Sequence, residues 1–135
     1  MNTARIHEQL ERLLHKGPER VAGNWEGRFV LEPDFVAFDG HFPGSPILPA
    51  FVQVMMAQML LKKALARPLH ILEIGAAKFT AEARPMDELV VRCKERGETG
   101  EAPQAFDCRI VTCKGSQEQQ VASFRLLLEP GKENA

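Results

Sequence analysis

The sequence predicts an α+β fold in which an antiparallel sheet wraps around one long buried helix. Two observations carry this. Residues 50–66 contain a stretch, 51–61, that is apolar except for Gln53 and Gln58, with no helix breaker before Pro68, and a helix apolar nearly all round belongs inside a protein. Beyond it the chain is strand-like at 69–74, 76–83, 89–95, 106–113 and 120–129, with turn-rich stretches such as 97–100 and 114–116 between strands. Strands that follow one another without intervening helices pair antiparallel rather than building βαβ units.

Each element has its own reason. Over 3–16, Ile6, Leu10, Leu13 and Leu14 recur at three- and four-residue spacing, with Thr3 placed to cap the helix and Gly17-Pro18 placed to stop it. Residues 21–32 read as an early strand through Trp25, Arg28, Phe29, Val30 and Leu31, although Gly27 interrupts the pattern. Trp25 and Phe29 are expected in the core. Glu32-Pro33-Asp34 is a turn. Between Phe38 and Ala50, Pro43, Pro46, Pro49, Gly40 and Gly44 crowd around one histidine, His41. Proline fixes φ while glycine allows close approach, so the path past His41 is rigid and specific. Pro49 suits the first turn of the helix that follows. The polar end, 130–135, is expected to fray.

Composition narrows the function. The 135 residues suit one domain, 1–135, able to bury a core without metal or disulfide staples. Seventeen Lys and Arg against eighteen Asp and Glu give a net charge of −1, so no global field recruits nucleic acid or an anionic membrane. The apolar part of the long helix, about a dozen residues, is shorter than the roughly twenty that cross a bilayer. Cys93, Cys108 and Cys113 are odd in number and lack CxxC spacing, which favours free thiols in a reducing cytoplasm over disulfides or zinc. Charged residues interrupt the N-terminal segment where a secretory signal would be apolar, so a cytoplasmic location is expected. No metal or cofactor is expected.

The motifs Gly40-His41-Phe42-Pro43-Gly44, Pro46 and Pro49, followed by a helix bearing Gln53 and Ala57-Gln58, and then Lys78-Phe79, Arg84-Pro85 and Asp87, resemble the β-hydroxyacyl-acyl-carrier-protein dehydratases of bacterial fatty-acid synthesis (FabZ/FabA-like). The resemblance covers about 38–87 and implies a hot-dog fold. It further implies a homodimer whose sheets join edge to edge, open to higher assembly, with acyl chains entering between the subunits along the central helices. The substrate it implies is a 3-hydroxyacyl thioester of an acyl carrier protein or coenzyme A, which loses water to give the trans-2-enoyl product. That reaction needs a base at the α-proton, an acid for the departing hydroxyl and a donor to the thioester carbonyl.

By this resemblance His41 is the general base and the backbone N–H of Ala50, where the family usually has glycine, polarises the thioester carbonyl. Gly44, Gln58 and Met59 complete the substrate-binding set. Met55 stands where the family carries the Glu or Asp that acts as acid across the dimer, and 51–61 contains no carboxylate. Losing a positioned acid costs about 10²–10⁴-fold in rate. Glu73 and Asp39 are the nearest substitutes, although acidic residues are mostly solvated. Met55, Met56 and Met59 suit either an adaptable acyl tunnel or plain core filling. Lys62, Lys63, Arg67, Lys78 and Arg84 suit either a patch for an acidic carrier or a solvated face. Three readings stand: a dehydratase of this type, a thioesterase on the same fold, and a non-catalytic carrier-binding or heterodimer subunit.

Overall fold

The computed structural model describes residues 3–39, 46–97 and 103–131. Helix α1 (Thr3–Leu13) buries Ile6, Leu10 and Leu13, the stripe its spacing predicts. It ends before Gly17-Pro18, because Leu14 already pairs with Phe29 at the start of strand β1 (Leu14–Val21). The helix expected over 3–16 is therefore three residues shorter, and β1 is a strand that local pattern concealed. His15, Lys16, Glu19 and Arg20 on it are exposed, so no hydrophobic alternation marks it, and Pro18 is tolerated because β1 lies at the edge of the sheet. Gly17 is required there: its φ is +98° and a Cβ would lie 2.5 Å from the Glu26 carbonyl oxygen.

Ala22 and Gly23, both at positive φ, turn β1 into β2 (Asn24–Val30), the two-residue hairpin whose backbone matches strand twist. After a short 3-10 turn at Val36–Phe38 comes helix α2 (Ala50–Leu65), ended by Ala66 in the left-handed conformation rather than running to it. Four strands follow: β3 (Leu69–Phe79), β4 (Glu88–Arg96), β5 (Gln104–Lys114) and β6 (Gln117–Pro130). The last three enclose the expected segments. In place of two strands at 69–74 and 76–83 there is one, β3, bulged between Ile71 and Glu73 and between Gly75 and Lys78, with Ala76 at positive φ. Pro130 closes β6, and 132–135 of the expected frayed tail lie outside the described residues.

All pairings are antiparallel, in the order β1-β2-β4-β5-β6-β3. The core lies between sheet and helix: Met56, Leu60 and Leu61 of α2 join Phe29, Leu89, Val91, Phe106, Ile110, Phe124 and Leu126 in one buried cluster. Trp25 packs at its margin. The helix is not covered all round, however. Phe51 is 44% exposed, and Met55, Gln58 and Lys62, which follow it along the same face, are only half-buried. At the sheet edge beyond, Leu72, Ile74 and Phe79 of β3 are likewise exposed. No described helix is long and apolar enough to cross a membrane.

Candidate active site

The site begins where the proline-rich loop enters α2. Leu48 N–H donates to the Ala83 carbonyl at 2.7 Å, tying the loop to the chain that leaves β3. Pro49 then stands at the helix N-cap in extended conformation, with no side chain among the described residues capping the end. Its carbonyl accepts from Val52 N–H at 3.2 Å and Gln53 N–H at 3.4 Å. The amides of Ala50 and Phe51 precede any intrahelical acceptor, and the partial positive charge of the helix N-terminus is concentrated on them. Ala50 is exposed and lines a cavity of about 290 Å³ together with Leu48, Gln53, Phe79, Thr80 and Glu82. Gln53 is 3% exposed.

A second cavity, about 240 Å³, lies on the other side of the helix. Met55, Gln58, Met59 and Lys62 line it from α2 and Thr3, Ala4 and His7 from α1. Ala50 and Met55 thus open onto different spaces. Five residues of α-helix separate them by about 140° of rotation and about 7.5 Å of rise, so one chain does not bring the two positions together. Gln58 is already engaged, its Nε2 donating to the Leu69 carbonyl at 3.0 Å and fastening α2 to the start of β3. Met59, 2% exposed, and Met56 belong to the core cluster, whereas Met55 packs against its rim.

His41 and Gly44 lie outside the described residues. Glu73 is exposed on β3 and lines neither cavity; Asp39 is exposed where the described chain pauses. Among the described residues Glu82 brings a carboxylate to a cavity rim, where it is engaged by the Arg84 guanidinium. Among the basic residues, Lys63 reaches Glu11 at 3.8 Å, Arg84 holds Glu82, and Arg67 bonds Gln104. Sequence reasoning passed over Gln53, His7 and Glu82 as cavity residues. For Gln53 a signal existed, a buried amide three residues after Ala50 on one helical face; His7 and Glu82 carried none. Among the described residues no group of three or more His, Cys, Asp or Glu side chains is placed to hold a metal ion.

A family model described as ApeI-like, ApeI dehydratase, matches residues 18–130. The chain belongs to the ApeI-like dehydratase family. A 3-hydroxyacyl-[acyl-carrier-protein] dehydratase FabZ of Syntrophobacter fumaroxidans is 27% identical over 134 residues, covering 90% of this chain and 82% of the relative. Among solved structures, an uncharacterised protein from Erwinia carotovora subsp. atroseptica superposes with TM-score 0.68 at 24% identity, over 83% of this chain and 89% of the other. A chain of the dehydratase heterocomplex ApeI:P from Xenorhabdus doucetiae gives 0.67 at 19%, over 84% and 91%. The (R)-hydratase of A. caviae gives 0.62 at 13%, over 86% and 100%. At such identities the structures speak for the fold, which is the hot-dog fold that the His-Phe-Pro-Gly and Lys-Phe motifs implied. In this ApeI-like dehydratase family member the matched segment includes both cavities' α2 residues and the whole sheet except the first residues of β1.

Proposed function

We propose that this protein binds acyl thioesters and catalyses the reversible loss of water from a 3-hydroxyacyl thioester. The observation that carries the reading is the uncapped start of α2 at Ala50, opening on a cavity, in a chain of a dehydratase family. A thioester carbonyl placed at the Ala50 amide gathers negative charge as the α-proton leaves, and backbone N–H groups at a helix N-terminus stabilise it. His41 takes that proton. The C2–H electrons form the C2=C3 double bond, the C3–O bond breaks, and the hydroxyl departs as water once a donor protonates it. Met55 has no proton to give, so the donor comes from elsewhere and turnover in this chain alone is slow.

The same reading makes the protein a dimer. Strand β3 is an eleven-residue edge with Leu72, Ile74 and Phe79 exposed beside the uncovered Phe51–Met55 stripe of α2, and long apolar edges invite pairing. A second copy there places its own helix along this one. The substrate arm is that of an acyl carrier protein or coenzyme A, and the setting is cytoplasmic fatty-acid-type metabolism. One observation favours a second reading. Met55 leaves the carboxylate unfilled, and a structural neighbour is a dehydratase heterocomplex, which supports a heterodimer whose other subunit supplies the acid.

Hydration of crotonyl-pantetheine separates these. Slow hydration that disappears in His41→Ala and rises in Met55→Glu is expected. Activity gained only on adding a second subunit favours the heterodimer. A folded dimer in which neither wild type nor Met55→Glu turns over, with or without a partner subunit, overturns the catalytic reading.

A further inference from the structure

Three parts of the molecule carry chemistry that the proposed reaction does not use: the arginine-rich groove on the outer sheet face, the facing thiols of Cys93 and Cys108, and the buried amide of Gln53. The groove's Arg92 and Arg125 are taken up by Glu26, Glu118 and Asp107, and the thiols are sealed in the core. Gln53 is different. Its Oε1 is buried with no hydrogen-bond partner among the described residues, yet the residue lines the cavity onto which Ala50 opens.

A buried acceptor without a donor costs more than an ordinary hydrogen bond gains. The orientation of the amide is set by its surroundings. Nε2 donates to the Leu48 carbonyl at 3.5 Å, and a carbonyl can only accept, so a flipped amide would place two acceptors face to face. Oε1 is therefore the unsatisfied atom. A contact of 3.5 Å is at the outer limit of hydrogen bonding, and the terminal torsion of glutamine is broad, so the amide is free to turn Oε1 towards the cavity that Gln53 lines. What the site lacks among the described residues is an O–H or N–H donor, beside a helix N-terminus for which they supply no acceptor.

A 3-hydroxyacyl thioester carries both complements two carbons apart: a carbonyl oxygen for the Ala50 amide and a hydroxyl proton for Gln53. The carrier arm has an amide N–H as well, but Ala50 is exposed and Gln53 buried, so a ligand anchored at Ala50 sends its arm outward and its acyl end towards Gln53. We infer that Gln53 is a specificity-determining residue whose Oε1 accepts a hydrogen bond from the substrate's 3-hydroxyl. The inference rests on the acyl-thioester reading above. A polar group left unpaired by the wrong ligand discriminates far better than an apolar pocket does, so saturated acyl and enoyl chains bind more weakly than the 3-hydroxyacyl chain.

The test uses two stable probes, 3-hydroxybutyryl- and butyryl-pantetheine with an amide in place of the thioester, titrated calorimetrically into wild type, Gln53→Leu, Gln53→Met and Gln53→Glu. Wild type is expected to prefer the hydroxy probe by about tenfold or more, the worth of one good hydrogen bond. Gln53→Leu and Gln53→Met are expected to lose that preference through the hydroxy probe alone, with Tm unchanged or raised, while Gln53→Glu, which keeps an acceptor, retains it. If Gln53→Leu does not fold, Gln53→Met carries the comparison. A preference that survives in the folded apolar variants overturns the inference, as does a lowered Tm with both probes weakened equally, the signature of a structural amide satisfied by water. Wild type that binds both probes alike overturns the inference only; wild type that binds neither overturns the acyl-thioester reading as well.

Discussion

Gly27 and Leu60 meet where strand β2 runs beneath helix α2: a Cβ on Gly27 would lie 2.4 Å from Leu60 Cδ1 and 3.1 Å from Leu14 Cδ1. The glycine that breaks the strand pattern in the sequence is the one that lets the helix settle on the sheet. Leu60 is fully buried, so it has little room to retreat.

Gly27→Ala is expected to destabilise by about 1–3 kcal/mol through overpacking, read by urea denaturation. Leu60→Ala alone costs about 2–5 kcal/mol by opening a cavity. In the double variant the new methyl enters the space Leu60 vacates, so the two costs fall short of their sum. Strict additivity would mean that the two side chains do not compete for the same volume.

On the outer face of the sheet, Arg92 bonds Glu118 at 2.6 and 3.0 Å and Glu26 at 3.1 Å. The hydrogen bond from Arg92, outweighing desolvation, holds the Glu118 carboxyl below its usual 4.5. A carboxylate depressed in the folded state contributes stability above its unfolded value and loses it as pH falls through the folded value. Glu118→Gln is therefore expected to lower Tm slightly at pH 7, the group being largely exposed. The gap should close below about pH 4.5, as wild type comes to carry the same neutral side chain. A gap unchanged at pH 3 would contradict the ion pair.

Cys93 and Cys108 face each other across the β4–β5 ladder and both are buried. The hydrogen bond with Cys93, then burial, pushes the Cys108 thiol up, so it stays protonated and unreactive at neutral pH. Cys113 is only half-buried. Native protein is expected to give one fast thiol with Ellman's reagent, lost in Cys113→Ser, and two more on denaturation. Three equal fast thiols would show a core open to solvent.

The two sheet edges are unequal. Strand β1 carries Lys16, Pro18 and Arg20, which blunt an edge, whereas β3 exposes Leu72 and Ile74. Ile74→Lys is expected to convert the proposed dimer to monomer in analytical ultracentrifugation, with Val21→Lys on β1 leaving it intact. Dissociation by both, or by neither, would place the subunit contact elsewhere.

Much of this was legible in the chain because the forces involved are local. The apolar run from Phe51 to Leu61 determined α2, the strand-like segments 106–113 and 120–129 on either side of the turn-rich stretch 114–116 marked β5 and β6, and the His41 motif pointed to the family. Tertiary structure alone decided the rest. Strand β1 exists because β2 offers it a ladder and not because its own residues alternate; β3 is one bulged strand because β6 runs unbroken beside it. Which face of a nearly uniform helix stays uncovered, and that Ala50 and Met55 open onto separate cavities, depends on what the sheet, α1 and the returning chain at Thr80 happen to cover. Periodicity fixes the angle between two residues on a helix, but only long-range packing decides what each of them faces.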